Sequence, residues 1–347
     1  MTKPNHIRLA TVGTGYFSQF QYAAWARIPE VKLVGICSHD LPSLLDVWQQ
    51  FPSSSTFAEF EDMLDQIKPD LVDIITPPHT HTKLVTACVE RGIPAICQKP
   101  FTNSYQEAAD LIKVIKANNG QVTVHENFRF QPWYQKIKTL LDGGLLGDLY
   151  QVSYSLRPGD GQGNDAYLER QPYFRTMERF LVHETAIHLI DVFRYLFGEI
   201  NSIFADLRQI NPQIKGEDAG LIIVNFKSGT RGVFDGNRLS DHKAANRRLT
   251  MGEMRIEGEK GVLSLNGDAE LRFREHNYNK CKNIKYSWID CDFGGDCVYN
   301  LQRSVINHTL RNEQPMNSAE DYLKNLEIVE KAYRSSSLKK TLECSTD

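Results

Sequence analysis

The first third of the chain alternates short apolar runs with amphipathic segments. The runs between residues 6 and 121 are rich in β-branched residues, and the segments between them carry apolar residues at helical spacing and often end at glycine. The apolar runs are IRLATVG, VKLVGICS, LVDIIT, PAICQ and QVTVHE. Strands and helices in alternation predict a parallel sheet covered by helices on both faces. An open doubly wound sheet fits this length better than an eight-stranded barrel, which needs about 250 residues.

After one more predicted helix, PWYQKIKTLLDGG, the pattern changes to two-residue alternation with glycine-containing turns. The alternating runs are DLYQVSYSLR, DAGLIIVNFKSG, TRGVFDGNR, MRIEGEKG, GVLSLNGD and ELRFREHN. They predict an open, mostly antiparallel sheet, accompanied by a polar loop, a helix in VHETAIHLIDVFRYLFG and two helices near the end of the chain. We therefore predict an α/β protein with a dinucleotide-binding domain at 1–126 and a substrate and oligomerisation domain at 127–347. The last helices are candidates for packing on the first domain.

Composition and charge narrow the range of partners. Lysine and arginine number 40 and aspartate and glutamate 43, which gives a formal net charge of −3. No net field therefore favours nucleic acid or an anionic membrane. No stretch approaches the roughly 20 apolar residues of a membrane helix, and the N-terminal residues show no signal-peptide pattern. These features predict a cytoplasmic protein that binds a small molecule.

The cysteines give no sign of a metal centre or a disulfide framework. All seven are scattered without a Cys-x-x-Cys pair, and the spacings between Cys281, Cys291 and Cys297 do not resemble a zinc knuckle. We predict reduced thiols and no metal site.

A glycine-containing turn follows the first predicted strand. In VGTGYFS, Gly13 and Gly15 occupy the first two places of a G-x-G-x-x-G fingerprint, and Ser18 occupies the third. Gly13 permits the tight turn, Gly15 permits close approach of a pyrophosphate, and the following helix supplies N–H groups. The segment also contributes Thr14, Tyr16 and Phe17 to the predicted dinucleotide site.

The end of the second predicted strand should contact the adenosine ribose. An acidic residue there favours NAD and an arginine favours NADP, but the sequence reads Cys37-Ser38-His39-Asp40. Ser38 and His39 are suited to a 2′-phosphate, and Asp40 would reach a ribose hydroxyl if the turn is tight. The residues leave NAD and NADP both open.

Two further places carry candidate chemistry. Lys99 ends the apolar run AICQ and is followed by proline, so a charge lies where the chain leaves the core. In VHETAIHLID, Glu184 and His188 lie four residues apart, and so on one face of an α-helix, where a carboxylate can orient an imidazole that acts as a general base. A structural histidine is the alternative. A zinc site with His183 is excluded on α-helical geometry, because residues five apart point roughly 140° away from each other.

Several motifs recur together in an order that resembles the glucose-fructose oxidoreductase and inositol dehydrogenase family (Gfo/Idh/MocA). They are LVDIITPPHTH, RGIPAICQKP, HENFRFQP, GLLGDL and HETAIHLIDVFRYLFGE. The resemblance covers nearly the whole chain. It implies an N-terminal Rossmann domain, a C-terminal α/β domain whose open sheet often mediates oligomers, and a substrate pocket between them.

The resemblance also assigns roles to residues. Lys99 corresponds to the lysine of the family's Glu-Lys-Pro motif and His188 to its catalytic histidine. The loop along the nicotinamide corresponds to Thr76, Pro77, Pro78 and His81. Three positions depart from the family pattern: Gln98 replaces the glutamate before the lysine, Ser18 replaces the third glycine, and Glu184 replaces an aspartate. Gln98 remains among the predicted cofactor contacts.

These residues predict an NAD(P)-dependent oxidoreductase. His188 takes the proton of an alcohol, Lys99 polarises its oxygen and Glu184 orients the imidazole, while a hydride passes to the nicotinamide. A sugar, sugar acid or cyclic polyol is the expected substrate, since polar residues follow the first strand of the second domain; a solvated surface loop is the alternative. The predicted substrate residues are Asn127, Arg129, Trp133, Arg157 and Tyr173.

Two other functions remain open from the sequence. One is an NAD-dependent, redox-neutral glycosidase or lyase of the same fold, and the other is a nucleotide-sensing regulator without chemistry. By analogy with the family, we expect a homodimer or a homotetramer.

Overall fold

The computed structural model describes residues 6–311 and 316–344. It divides into two compact units: unit 1 contains residues 1–127 and 298–324, and unit 2 contains residues 128–297 and 325–347. The boundary predicted after residue 126 lies one residue from the first division. Residues 298–324 cluster with unit 1. The sequence prediction assigned them to the second domain and named the last helices as candidates for packing on the first.

Unit 1 is built on a six-stranded parallel sheet with strand order β3-β2-β1-β4-β5-β6. Its strands are β1 Ile7–Val12, β2 Val31–Cys37, β3 Ser55–Phe57, β4 Leu71–Ile74, β5 Ala95–Gln98 and β6 Val122–His125. Its helices are α1 Ser18–Trp25, α2 Leu41–Gln50, α3 Phe60–Ile67, α4 His81–Glu90 and α5 Tyr105–Ala117. The predicted doubly wound sheet is confirmed. Strand order reverses between β1 and β4, and ligands bind beyond the carboxyl ends of such strands.

The core of unit 1 explains why these runs become strands. Ile7, Leu9, Ile36, Leu71 and Ile96 are buried in one apolar cluster. Burying each such side chain stabilises the fold by about 1.5–3 kcal/mol. β3 was missing from the predicted strands, because it has only three residues and two of them are exposed.

A late helix completes unit 1. Helix α8 spans Cys297–Arg311, far along the chain from the other helices of unit 1. Ile306 belongs to the apolar cluster of unit 1, and Arg303 donates hydrogen bonds of 2.5 and 2.8 Å to the carboxylate of Glu30. These contacts attach α8 to unit 1 from a distant position in the sequence.

Unit 2 contains a nine-stranded sheet with order β14-β13-β12-β11-β7-β10-β9-β8-β15. Its strands are β7 Leu149–Leu156, β8 Ile200–Arg208, β9 Ala219–Phe226, β10 Arg231–Asn237, β11 Gly252–Gly258, β12 Gly261–Leu265, β13 Leu271–Glu275, β14 Lys282–Ile284 and β15 Leu342–Glu343. Its helices include α6 Pro132–Asp142 and α7 Ile187–Phe197, and α9 Ala319–Leu338 enters it at residue 325. The open, mostly antiparallel sheet is confirmed, and its one parallel pair among the described strands is β7 with β10.

The sequence prediction missed β8. A register shift between Ile200 and Ser202 interrupts its pairing with β9, which breaks the two-residue alternation on which the prediction depends. None of the helices in the described residues is both long enough and apolar enough to cross a membrane.

Candidate active site

The turn after β1 has the geometry of a pyrophosphate cradle. Gly13 has a φ of +109°, and a Cβ there would lie 2.7 Å from the carbonyl oxygen of Ile75. At Gly15, a Cβ would meet nothing within 4 Å, so the backbone is open to a ligand. Ser18 begins α1, and its hydroxyl donates to the carbonyl oxygen of Gly15 at 2.6 Å. Ser18 thus replaces the third glycine while stabilising the turn, and the cradle fits a dinucleotide.

Hydroxyl groups meet where β1 and β2 end. The Thr14 hydroxyl lies 2.8 Å from that of Ser38 and 2.5 Å from that of Ser43. Ser38 also accepts a hydrogen bond from the backbone N–H of Asp40, and Ser43 donates to the Asp40 carboxylate at 2.9 Å. His39 is exposed at the same turn. Ser38, which was expected to bind the cofactor, therefore already participates in a local network that places Asp40 beside it.

The second predicted cofactor loop follows β4. The hydroxyls of Thr76 and Thr80 are 2.6 Å apart, and Pro78–Thr80 form one turn of 3-10 helix. His81 is fully buried, with its ring nitrogens 2.7 Å from the Thr76 carbonyl oxygen and 3.1 Å from that of Phe101. Burial lowers the pKa of the His81 imidazole. His81 thus holds the loop against the segment that follows Lys99, and its contact with the cofactor stays a prediction.

Lys99 follows directly on β5, at the carboxyl edge of the parallel sheet. The Gln98 side chain folds back on it, because its Oε1 accepts the backbone N–H of Lys99 at 2.7 Å. The Gln98 Nε2 donates to Oε1 of Gln21 in α1 at 3.1 Å. Gln98, predicted to contact the cofactor, is thus engaged with the backbone that carries the lysine.

His188 lies near the start of α7 and is 6% exposed. The ring of Phe128 stacks on its imidazole with 4.1 Å between centroids and 8° between planes. Phe293 packs at an angle against Phe128, with centroids 6.1 Å apart. The imidazole is therefore held flat by an aromatic neighbour that is 60 residues earlier in the sequence. Sequence spacing within the helix gave no indication of this contact.

A π-helical turn, Leu181–Ala186, leads into α7. The buried carboxylate of Glu217 accepts the backbone N–H groups of Phe180 and Val182, and the Tyr333 hydroxyl accepts that of His183 at 3.2 Å. Because a π-turn has i→i+5 hydrogen bonds, α-helical spacing does not apply here. The separation predicted between His183 and His188 assumed an α-helix and does not hold for this turn. Residues four apart, such as Glu184 and His188, stay close to one face in either type of helix, so that prediction remains open.

Glu184 has an unexpected neighbour in the polar loop that follows β7, residues 157–175. The pKa of Tyr173 is raised first by partial burial and then by the negative charge of Glu184. Tyr173 is 53% exposed, and its hydroxyl accepts a hydrogen bond from Gln171 at 3.2 Å. The structure thus brings together two predicted site residues, one assigned to catalysis and one to the substrate.

Three other predicted substrate residues have buried positions. Arg129 donates to both carboxylate oxygens of Asp191, at 2.7 and 2.5 Å, and Asp191 also accepts the Asn325 amide at 2.7 Å. Trp133 is 0% exposed, and Asn127 is 4% exposed. Arg129 therefore forms a buried ion pair with Asp191. Removal of either partner would strongly destabilise the folded protein, because the other charge would remain buried. The assignment of Arg129, Trp133 and Asn127 to the substrate stays a prediction.

The polar loop after β7 is anchored by a residue that the sequence analysis missed. Arg238, just after β10, donates to Asp160, to the Tyr167 hydroxyl and to the Thr185 hydroxyl at 2.7, 2.7 and 2.6 Å. The rings of Tyr167, Phe174 and Phe180 surround its guanidinium. Arg238 is 2% exposed and joins the loop to the π-turn. A lone arginine after a strand gave no local signal for this role.

Arg157 is also engaged by the protein itself. Its guanidinium donates to the backbone carbonyl of Asp235 at 2.6 Å and to the carboxylate of Asp235 at 2.5 Å. These bonds hold the end of β7 to β10, and a contact of Arg157 with substrate stays a prediction. Of the five predicted substrate residues, Tyr173 has the largest exposed fraction.

Two family models match most of the chain. Residues 7–126 match an oxidoreductase family with an NAD-binding Rossmann fold, and residues 134–264 match the GFO/IDH/MocA C-terminal domain. The chain belongs to the Gfo/Idh/MocA oxidoreductase family. Unit 1 therefore contains an NAD-binding Rossmann fold, and the resemblance seen in the motifs is confirmed.

Curated relatives resemble the chain over its full length. It is 29% identical to a D-apiose dehydrogenase of Paraburkholderia graminis, with 99% of this chain and 91% of the relative covered. A D-apiose dehydrogenase of Rhizobium rhizogenes is 27% identical, with 97% of both chains covered.

A solved structure shows the same fold. An oxidoreductase from Agrobacterium radiobacter, in complex with NAD⁺, L-tartaric acid and magnesium, is 26% identical and superposes with a TM-score of 0.87 over 97% of this chain and 98% of that chain. Proteins that resemble this chain over its full length are thus named as dehydrogenases or an oxidoreductase. This supports an oxidoreductase over a nucleotide-sensing regulator.

Proposed function

We propose that this oxidoreductase is an NAD-dependent dehydrogenase that oxidises a CH–OH group of a small, free sugar or a related sugar acid or polyol. The observation that carries the proposal is the His188 imidazole, which is nearly buried and held flat against Phe128 in a family of NAD-binding enzymes. A base that is desolvated and fixed in orientation is suited to accept a hydroxyl proton.

The proposed roles are divided between residues of unit 2 and residues of unit 1. His188 accepts the hydroxyl proton, and Lys99 stabilises the negative charge that develops on the same oxygen. Glu184 and Tyr173, which interact electrostatically, provide polar groups for the remaining hydroxyls of the substrate. When bound, NAD⁺ supplies the acceptor for the hydride. Gly13, Gly15 and the start of α1 would hold its pyrophosphate.

Preference for NAD over NADP is part of the proposal. The turn after β2, residues 38–43, contains the carboxylate of Asp40 and neither lysine nor arginine. A carboxylate disfavours a 2′-phosphate by charge repulsion and can accept a hydrogen bond from a ribose hydroxyl. Titration with NADH and NADPH, followed by fluorescence, tests this preference. Tighter binding of NADPH would contradict it.

The substrate class is proposed from the relatives together with the loop. Two full-length relatives are named for D-apiose, a small branched sugar, and the structural neighbour holds L-tartaric acid, a small polyhydroxylated acid. The polar loop at 157–175 is anchored to the π-turn by Arg238 and leaves Tyr173 exposed. D-apiose, other pentoses and C4 to C6 sugar acids are therefore the first compounds to assay.

The direct test measures NADH formation with this panel for the wild type, His188→Ala and Lys99→Met. We expect turnover by the wild type and a loss of about 10²–10⁴-fold for His188→Ala, the range of general-base catalysis. His276→Gln is the matched control, because this histidine of unit 2 contacts the Gly258 carbonyl and has no proposed catalytic role. Near-normal turnover by His188→Ala would contradict the assignment. Product formed without net NADH would favour the redox-neutral alternative.

A homodimer or homotetramer and cytoplasmic residence also remain proposals. The first is supported by the family resemblance, since the open sheet of the second domain often mediates oligomers, and unit 2 contains such an open sheet. Light scattering of the purified protein would test the assembly, and a monomer at all concentrations would contradict it.

A further inference from the structure

A buried carboxylate in unit 1 has no role in the reaction proposed above. Asp73 lies in β4 and is 0% exposed. Its two oxygens each accept a hydrogen bond of 3.0 Å from the Gln21 amide, and Oδ2 accepts one of 2.8 Å from the Trp25 indole. A buried carboxylate is costly unless it is satisfied in this way, so its presence in the sheet calls for a reason.

Asp73 is joined to Lys99 by two side-chain amides. The Gln21 amide donates to Asp73 and accepts, through Oε1, the Nε2 of Gln98 at 3.1 Å. The Oε1 of Gln98 accepts the backbone N–H of Lys99 at 2.7 Å. We call this sequence of hydrogen bonds the amide chain; it consists of Asp73, Gln21, Gln98 and the Lys99 N–H.

The charge of Asp73 sets the direction of the amide chain. An ionised carboxylate only accepts hydrogen bonds, whereas each side-chain amide has one donating and one accepting end. Gln21 must therefore turn its NH₂ group to Asp73 and its oxygen to Gln98, which in turn presents its own oxygen to Lys99. With a donor at position 73, both amides would reverse, and the NH₂ of Gln98 would face the N–H of Lys99. Two donors facing each other leave the part-buried N–H of Lys99 unsatisfied by the protein.

We propose that Asp73 is a positioning residue, which orients the Gln98 amide through Gln21 and thereby fixes the backbone that carries Lys99. This inference rests on the proposed function, in which Lys99 acts on the substrate oxygen. In this arrangement the negative charge lies on β4, and the glutamine at 98 transmits its orientation to the Lys99 backbone. Asp73 does not itself contact the reacting atoms in this account.

Two titratable side chains interact with Asp73, Tyr22 of α1 and Cys97 of β5. Burial raises the pKa of both, so the phenol and the thiol are neutral near neutral pH. Burial also raises the pKa of Asp73 to about 7, while the bonds from Trp25 and Gln21 lower it. An assay at about pH 8.5 therefore favours the carboxylate form of Asp73.

The test compares the wild type with Asp73→Asn, Gln98→Glu and the double variant. Asp73→Asn replaces one of the two acceptor oxygens that face the Gln21 NH₂ by a donor, and Gln98→Glu places an acceptor where the Gln21 oxygen now receives a hydrogen bond. We expect each to lower kcat about tenfold, the effect of one misdirected hydrogen bond. NADH affinity and KM for the sugar should change less than about threefold.

The double variant should recover activity. The asparagine would donate to the Gln21 oxygen, the Gln21 NH₂ to the new carboxylate, and that carboxylate would accept the Lys99 N–H. This chain runs in the opposite direction with every group satisfied, so kcat should return to within about threefold of the wild type. Trp25→Phe is the matched control, because it removes a donor to Asp73 and leaves the amide chain intact; its kcat should stay within about twofold of the wild type.

Three outcomes would overturn the proposal. They are a folded Asp73→Asn variant with wild-type kcat, a double variant no more active than the weaker single, and stability coupling between positions 73 and 98 without any change in kcat, since Asp73 would then be structural only. If Asp73→Asn does not fold, Gln21→Met breaks the chain with similar volume and carries the same expected loss of kcat.

Urea unfolding of the same four proteins needs no substrate. If the wild type oxidises no sugar, the proposed function fails, and the unfolding cycle then decides whether the amide chain exists: non-additive effects at 73 and 98 support it and additive effects contradict it.

Discussion

The surroundings of Lys99 and His188 are built in different ways. Lys99 follows a parallel strand, and Gln98, its immediate neighbour, holds its backbone N–H. His188 depends on residues far away in the sequence: Phe128 stacks on its ring, Glu217 accepts N–H groups of the π-turn, and Arg238 binds Thr185 within that turn. Residue spacing in the sequence therefore predicts the surroundings of Lys99 well and those of His188 poorly. The segment before His188 forms a π-turn with distant partners, where spacing alone predicts an α-helix.

Removal of Arg238 should give the largest effect on the His188 region. Arg238→Met removes the positive charge that pairs with the partly buried carboxylate of Asp160. It also removes the hydrogen bond to Thr185. We expect the free energy of unfolding to fall by about 3 kcal/mol, as for other buried ion pairs broken on one side. Urea unfolding measures it. Arg208→Met, which breaks an exposed pair with Asp206, is the control and should cost less than about 1 kcal/mol. Equal losses for the two variants would show that Arg238 does not organise the loop.

The matching test in unit 1 concerns His125, at the end of β6. The imidazole is fully buried, and neither ring nitrogen has a hydrogen-bond partner among the described residues. Burial lowers its pKa from 6.5 to about 4. The folded state thus favours neutral His125, so its contribution to stability is present above pH 6.5 and decreases as pH falls towards 4. His125→Leu should reduce this acid-dependent loss by about 3 kcal/mol.

Unfolding by urea at several pH values between 7 and 4 checks the His125 prediction. Leu41→Gln changes an exposed side chain of unit 1 without altering any ionisable group and should keep the wild-type pH dependence. Parallel pH curves for His125→Leu and the wild type would contradict the lowered pKa.

Two glycines separate fold from cofactor binding in the first region. Gly13→Ala places a methyl group 2.7 Å from the Ile75 carbonyl oxygen at a φ of +109°, so we expect a loss of about 2 kcal/mol in stability and weaker NADH binding. Gly15→Ala meets nothing within 4 Å and should weaken NADH binding with little change in stability. Thermal unfolding and NADH titration distinguish the two. A stability loss at Gly15 as large as that at Gly13 would be inconsistent with the open cradle.

The smallest expected effect concerns the stacked ring. Phe128→Leu keeps an apolar side chain but removes the parallel contact with His188, which is worth about 0.5–1.5 kcal/mol. We expect kcat to fall about fivefold with NADH affinity unchanged. Phe293→Leu, which alters the tilted contact with Phe128 and leaves the Phe128 ring on His188, should have a smaller effect. Unchanged kcat in Phe128→Leu would show that the stack does not orient the base.

The fold class and the glycine turn were predictable because their signals are local. Alternating runs, Gly13 and the lysine after β5 are read directly from neighbouring residues. The π-turn and the role of Arg238 were not, since they arise from contacts with Glu217, Asp160 and Thr185 across the fold. The carboxylate partners of Arg129 and Arg157 were not predictable for the same reason, because Asp191 and Asp235 are 62 and 78 residues away.

The most direct test of the account follows the hydrogen that the substrate loses. The wild type and His188→Ala would each be incubated with NAD⁺ and a sugar that is deuterated at the carbon to be oxidised, D-apiose being the first choice. The mass of the reduced cofactor would then be measured by mass spectrometry. The account predicts NADH that carries one deuterium with the wild type and almost none formed with the variant. Labelled NADH at equal rates from both proteins, or substrate conversion without labelled NADH, would contradict it.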